Sequence, residues 1–330
     1  IDGDNLSFTL MFPKTTDPFM RSIVKSAEAA IHAHVGKEVN GSIATAAPEP
    51  QPKVEEKVLP GVKNIIGVSS GKGGVGKSTV AANLAVALAR EGYKVGLLDA
   101  DIFGPSVPKM FGCEDAELYL RKDGDRDLII PFERYGVKLL SIGFLVDKNN
   151  AVLWRGGMAS NALKQLITQG DWGELDYFLI DMPPGTSDIH LTLVQTLDIT
   201  GVVIVSTPQE VALADARKGI AMFTGEKVNV PILGLVENMA WFTPEKHPDE
   251  RYYIFGREGA VKLAKELGVK LLAQIPITES ICDHSDEGHP IALDDTVASM
   301  AFMHLGREVV DAVAHRNATL PPTRKVELKH

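Results

Sequence analysis

Gly71, four residues, then Gly76, Lys77 and Ser78 is a spacing that points to triphosphate binding. In the stretch 65–79, Ile-Ile-Gly-Val-Ser-Ser-Gly-Lys-Gly-Gly-Val-Gly-Lys-Ser-Thr, an apolar run feeds a glycine-rich turn that ends on a lysine and two hydroxyls. Small residues let backbone N–H groups converge on phosphate oxygens, and the N-terminus of a following helix adds partial positive charge. Gly71, Lys72, Gly73, Gly74, Val75, Gly76, Lys77, Ser78 and Thr79 are therefore predicted to cradle phosphates, with Lys77 on the outer ones and Ser78 on a magnesium ion. Context separates this from an ordinary glycine-rich turn. Residues 65–68 read as a buried strand and 80–88 as an alanine- and leucine-rich helix, which is the junction such a loop needs.

Carboxylates follow at strand ends. Residues 94–98 predict a strand running into Asp99-Ala-Asp-Ile-Phe-Gly-Pro-Ser, and ligands of parallel sheets bind outside the carboxyl ends of strands. Asp101 is predicted to orient an attacking water, and Asp99 to support the magnesium shell; capping of the next turn is the alternative for both. Residues 177–181, Tyr-Phe-Leu-Ile-Asp, form an apolar strand that delivers Asp181 to magnesium through water. The turn 182–188, Met-Pro-Pro-Gly-Thr-Ser-Asp, is placed to sense a γ-phosphate.

The elements that must position these groups alternate. Strands at 137–142, 201–206, 232–236 and 271–275 are interleaved with helices from 154 to 167 and near 210–224, 257–267 and 294–315, and a surface hairpin is expected within 113–135. Such alternation predicts an α/β fold with a doubly wound, mainly parallel sheet. Before it, Leu6, Phe8, Leu10 and Phe12 alternate with polar or exposed-type residues as in a half-buried strand. Asp17-Pro18 then opens a helix carrying Phe19, Ile23, Ala27, Ala30 and Ile31, and a short strand near 39–43 follows. The expected organisation is a small α+β fragment at 1–46, a proline-rich linker at 47–60, the main domain at 61–316 and a tail at 317–330.

The 330 residues are 45% hydrophobic, enough for one large α/β core with something smaller attached. No run approaches the roughly 18 apolar residues of a membrane span, so a soluble protein is expected. A net charge of −9 argues against nucleic acid as a default partner. Cys113 and Cys282 are the only cysteines, too few for a disulfide framework, which favours a reducing cytoplasm. Numbering from Ile1 is expected of a segment within a longer chain.

Lys72 adds a charge early in the loop, and Gly-Lys-Gly-Gly-Val-Gly-Lys-Ser resembles the deviant Walker A loop of partition and cell-division ATPases. The resemblance implies that Lys72 crosses a dimer to the partner's nucleotide, where a cation delivered in trans stabilises the charge of hydrolysis. In order along the chain stand Asp-Ala-Asp-Ile-Phe-Gly-Pro-Ser, Trp-Arg-Gly-Gly, Asp-Met-Pro-Pro-Gly-Thr-Ser-Asp, Ser-Thr-Pro-Gln-Glu and Glu-Asn-Met-Ala-Trp-Phe. With these, residues 61–316 resemble the Mrp/ApbC branch of these ATPases, relatives of Nbp35 and Ind1, and the opening fragment resembles part of a MIP18-type domain. The branch implies a homodimer that hydrolyses ATP with Mg²⁺ and serves iron–sulfur cluster assembly or carriage, with apo iron–sulfur proteins as clients and neither nucleic acid nor membrane as partner. It also implies that Asn238 bonds the adenine edge and that the loop at Pro276 covers the base; an ordinary turn is the alternative for each.

One departure is visible. Where the branch carries Cys-x-x-Cys, this chain reads Thr-Pro-Glu-Lys-His-Pro-Asp-Glu-Arg at 243–251. An iron–sulfur cluster wants thiolates, and His247 with Glu245 is a poor substitute, so His247 reads as a solvated loop residue. Cys282 has His284 and His289 close in sequence, which leaves a metal or cluster site there open beside a plain half-buried thiol. Cys113 reads as structural. A partition-type ATPase that binds DNA or membrane, and a scaffold that uses ATP only to lock its shape, are the competing readings.

Overall fold

The computed structural model describes residues 5–12, 18–34, 40–46, 57–102, 104–145, 156–244, 246–247 and 249–326. Asp17, residues 47–56 of the expected linker, Trp154, Arg155 and Glu245 lie outside them. The chain divides into two compact units, Ile1–Glu56 and Lys57–His330.

In the first unit, β1 (Asn5–Met11) and β2 (Asn40–Ala46) pair in parallel across α1 (Met20–His34). Phe12 is buried and Phe8 and Leu10 are half-buried, while Ser7, Thr9 and Met11 face water, as the alternation predicts. The helix presents Met20, Val24, Ala27 and Ile31 inward, at helical spacing, and leaves Phe19 and Ile23 exposed. A two-stranded sheet is too narrow to cover the whole predicted stripe.

The second unit holds β3 (Val62–Ser69), α2 (Lys77–Arg90), β4 (Val95–Asp99), α3 (Val107–Met110), the hairpin β5 (Tyr119–Asp123) and β6 (Arg126–Ile130), β7 (Phe132–Arg134) and β8 (Val137–Ser141). Then come α4 (Gly156–Gln169), β9 (Leu175–Asp181), α5 (Asp188–Thr196), β10 (Gly201–Ser206), α6 (Glu210–Thr224) and β11 (Ile232–Glu237). It closes with α7 (Gly259–Leu267), β12 (Leu271–Gln274), α8 (Glu279–Glu287) and α9 (Val297–Thr319). The sheet runs β12-β11-β10-β3-β9-β4-β8-β7, parallel except for the edge strand β7.

Nearly continuous apolar strands such as Tyr-Phe-Leu-Ile arise because both faces are covered. Tyr177 and Leu179 of β9 join the core beneath α2 and α9, whereas Phe178 and Ile180 join the core beneath α4, α5 and α6. Strand β4 does the same, with Leu97 on one side and Leu98 on the other. On the second face Phe178 meets Trp172 edge-on with ring centroids 4.6 Å apart.

Three results depart from the expected elements. The short helices α5 and α8 occupy segments with no long apolar period, each opened by a hydroxyl residue, Ser187 or Thr278. Helix α9 runs to Thr319, so no free tail begins at Asn317. Instead Arg316 donates to the Pro321 carbonyl and to Thr323 Oγ1, both at 2.7 Å, and the Val326 N–H bonds to the Val194 carbonyl. Among the described residues no helix is long and apolar enough to cross a membrane.

Helix α2 is anchored by Asn83, buried in its middle. Its Oδ1 accepts the Ala292 N–H at 2.9 Å while its Nδ2 donates to the Thr79 carbonyl. Replacing it with alanine strands the Ala292 donor, which typically costs about 1–3 kcal/mol. Asn83→Ala is expected to lower the urea midpoint by a corresponding amount with an unchanged m-value.

Candidate phosphate-binding site

Strand register brings the predicted groups together. Val68 lies opposite Asp181, Asp181 opposite Asp99, and Asp99 opposite Ser141, so β3, β9, β4 and β8 end level. The chain leaves β3 at Ser69 and turns through the glycine loop into α2, whose first residue is Lys77. Helix α2 has Gly76 as its N-cap, at φ 79°, and no side chain caps it. Its orphan N–H groups are left for a ligand. Among the described residues no backbone acceptor takes the N–H groups of Gly73, Gly74 or Gly76. The loop borders a cavity of about 220 Å³ walled by Lys72, Gly74, Ser78, Asp101 and Pro184. A larger groove, about 600 Å³, lies by Val228 and Pro321, where Arg316 already bonds its own chain and no catalytic group gathers.

Lys77 is 6% exposed and is held by carboxylates. It pairs with Asp181 in a short contact, lies 3.8 Å from Asp101 Oδ2 and donates to Ser78 Oγ at 3.1 Å. Asp181 is fully buried, and its second oxygen, Oδ2, has no hydrogen-bond partner. An orphaned buried carboxylate oxygen beside a hydroxyl fits the oxygen-rich coordination of magnesium. Lys72 is half-exposed at the cavity mouth, where its carbonyl accepts the Ser70 hydroxyl.

Asp99 is held by hydrogen bonds at both oxygens. Its Oδ2 accepts Ser141 Oγ–H at 2.9 Å and its Oδ1 accepts the Asp101 N–H at 3.2 Å, so both oxygens are engaged. Burial, followed by the neighbouring Asp181 charge, pushes its carboxyl up to about 8. Held by these two bonds, Asp99 shapes the turn that carries Asp101.

Asn238 likewise sits behind the loop. Its Nδ2 donates to the Val75 carbonyl at 2.8 Å, so the amide predicted for a base edge braces the phosphate loop. Glu237 before it is fully buried and clamps β11 to its neighbours, accepting the Ala260 N–H at 2.8 Å and the Gln274 amide. Pro276 is buried just past β12.

Sequence reasoning missed two supports. Helix α6 packs against Gly71 so tightly that a Cβ there would lie 2.1 Å from the Asp215 carbonyl carbon. In the turn after β9, the Gly185 N–H bonds to the Ser70 carbonyl, and His190 Nδ1 accepts the Ser187 N–H at 3.1 Å. Burial drives the His190 imidazole down to about 4, so it is neutral. The Ser-x-x-His spacing was its only sequence signal.

The loop 243–251 holds no thiol. Phe242 bridges to Tyr252 and Ile277, Arg251 lies 4.4 Å over the Trp241 ring, and His247 is largely exposed with Glu250 3.6 Å away. Cys113 is buried, and burial lifts its thiol to about 12; Cys282 is exposed on α8.

A family model described as ParA, NUBPL iron-transfer P-loop NTPase, matches residues 61–310. The chain belongs to this family. Among its relatives, the iron-sulfur cluster carrier protein of Synechocystis sp. is 41% identical over 317 residues, 95% of this chain and 89% of that protein. The iron-sulfur cluster transfer protein NUBPL of Dictyostelium discoideum is 46% identical over 262 residues, 79% of this chain and 80% of that one. A solved nucleotide-binding protein from Archaeoglobus fulgidus, in complex with ADP, aligns with a TM-score of 0.62 and 40% identity over 72% of this chain and 91% of its own. The parallel sheet with helices on both faces is thus that of a ParA/NUBPL P-loop NTPase.

Two outcomes follow from this geometry. Gly71→Ala should destabilise the protein by about 2 kcal/mol or more in denaturant melts, since backbone on both sides must move. Gly73→Ala, whose Cβ meets only Pro184 Cγ at 4.0 Å, should stay within about 0.5 kcal/mol. A carboxyl raised to about 8 on folding holds a proton that the unfolded chain has lost, so its contribution to stability falls as pH rises from about 4 to 8. The thermal midpoint of Asp99→Asn relative to wild type should therefore climb between pH 5 and pH 8; a constant difference would show that Asp99 is ionised throughout.

Proposed function

We propose that this protein is an ATP-hydrolysing, homodimeric switch that serves iron–sulfur cluster assembly in a reducing cytoplasm. The observation that carries the nucleotide half is the buried Lys77–Asp181 pair set at the mouth of an uncapped helix whose loop amides are free. Lys77 exchanges Asp181 for the outer phosphate oxygens, and Asp181 with Ser78 would then hold magnesium. The ion, when bound, offsets the negative charge of the phosphates. Asp101, at the cavity wall, orients water for in-line attack, while Lys72 reaches the nucleotide held by a second copy of the chain. The assembly half is supported by the names borne by the Synechocystis and Dictyostelium relatives.

Carriage in this chain differs from that of its branch, because the loop at 243–251 offers no thiolate. With Cys113 buried, Cys282 is the one exposed thiol per copy. The reading is of an assembly factor whose dimer changes shape with the nucleotide and presents its surface to apo client proteins, any cluster being passed on as cargo.

Phosphate release and sedimentation test the switch together. Lys77→Ala should abolish turnover. Lys72→Ala should keep ATP binding while turnover falls on the order of 100-fold, the loss typical when one charge-stabilising donor is removed. Full turnover in either variant would falsify the assignment of the loop. Anaerobic reconstitution with iron and sulfide, followed by transfer to an apo client, tests the assembly role; client maturation unchanged by the protein and ATP overturns it.

A further inference from the structure

Three side chains outside the phosphate site converge at the end of α8. His284 Nε2 lies 2.8 Å from Asp294 Oδ2, and His289 Nε2 lies 3.0 Å from Asp294 Oδ1. One ligand atom from each can be chosen so that all lie within 4.8 Å of one another. The local sequence builds this cluster. His284 stands in the last turn of the helix, Gly288 closes it in the left-handed region at φ 72°, and the His289 N–H returns to the His284 carbonyl at 2.9 Å. Pro290 then starts the turn Ile291–Leu293, and Asp294 ends it.

The protons do not balance without a cation. His284 Nδ1 lies 2.7 Å from the Ser280 carbonyl, and a carbonyl can only accept, so Nδ1 carries a proton. A neutral His284 therefore aims an Nε2 lone pair at a carboxylate oxygen, acceptor against acceptor. A second proton or a metal ion resolves the contact. An N–H to carbonyl bond behind the free nitrogen is also how metal-binding histidines are oriented.

The platform is fixed and the site is reachable. Tyr135 meets the His289 ring edge-on at 6.0 Å and donates to the Gly288 carbonyl at 3.0 Å. Arg90 of α2 donates to the Ala292 and Asp294 carbonyls. The side chains of His284, His289 and Asp294 are 28%, 43% and 30% exposed. Cys282, two residues earlier on the helix, falls outside the group, so the sequence pairing of that thiol with the two histidines is not what the fold brings together.

We propose that His284, His289 and Asp294 form a binding site for a divalent transition ion of the zinc class, with a remaining position for water. Two imidazoles and one carboxylate suit zinc, cobalt or iron(II), whereas magnesium and calcium prefer all-oxygen shells. Bound there, the ion ties the end of α8 to the segment that Arg90 and Asn83 fasten to the phosphate-loop helix.

Cobalt(II) alone is the probe, titrated anaerobically into the chelator-treated full chain with ADP and millimolar Mg²⁺ present to fill the phosphate loop. One equivalent should bind with visible d–d absorption. That absorption should be lost in His289→Gln and in Asp294→Asn, and kept in Cys282→Ser and Asp181→Asn. Circular dichroism melts in chelator show that each variant is folded, and His289→Gln, altering a half-exposed ring, serves if Asp294→Asn is not. No binding by wild type, binding that survives His289→Gln, or binding that disappears with Cys282→Ser or Asp181→Asn overturns the proposal.

Discussion

Asp99, Asp101 and Asp181 end two adjacent strands in a space that is almost closed to water, and Lys77 is the cation set among them. Parallel register leaves no freedom here, because Asp99 and Asp181 are direct partners across β4 and β9. Burial and the facing Asp181 raise the Asp99 carboxyl to about 8, and its oxygens accept from Ser141 and from the Asp101 amide. What remains is a buried Lys77–Asp181 pair, and breaking such a pair by removing one partner usually costs about 3–5 kcal/mol. Lys77 and Asp181 are thus each held in place by the other's charge.

Everything around the pair keeps its geometry fixed. The loop amides are free because Gly76 caps α2 without a side chain, and the loop is still rigid because its underside is bonded elsewhere. Asn238 holds the Val75 carbonyl, Ser70 holds the Lys72 carbonyl, and α6 presses against Gly71. The turn after β9 enters the same network through the Gly185 amide on Ser70, which gives a structural route from the phosphates to α5.

The phosphate loop was legible in the sequence because its chemistry is local: glycines, lysine and hydroxyl act within eight residues of one another. The sheet was legible because alternate residues of apolar strands feed two cores, leaving strand-length runs between helical periods. The pairing of Asp99 with Asp181 was not legible because they lie 82 positions apart, a register no local pattern encodes. The bond from Asn238 to the Val75 carbonyl was hidden for the same reason, the two being 163 residues apart. Helices α5 and α8 escaped notice because each is only 9 residues long and is fixed by its cap and its packing rather than by an apolar stripe. His284 and His289 announced themselves, but Asp294 did not, since only the turn at Pro290 swings it back against them.

The distribution of thiols separates the two halves of the molecule's chemistry. Cys113 is packed in the core beside α2, where burial makes its thiolate inaccessible near neutral pH, so it cannot serve as a soft ligand. Cys282 faces solvent on α8, and the ends of the loop 243–251 are joined by the Phe242–Tyr252 backbone pair and the Arg251–Trp241 stack. The phosphate loop and the carboxylates beside it lie within one loop and level strand ends, so they keep their geometry in a chain without the thiol pair of the branch. Apart from them, the described residues carry one exposed thiol, Cys282, and a histidine–aspartate cluster on the turn that follows α8.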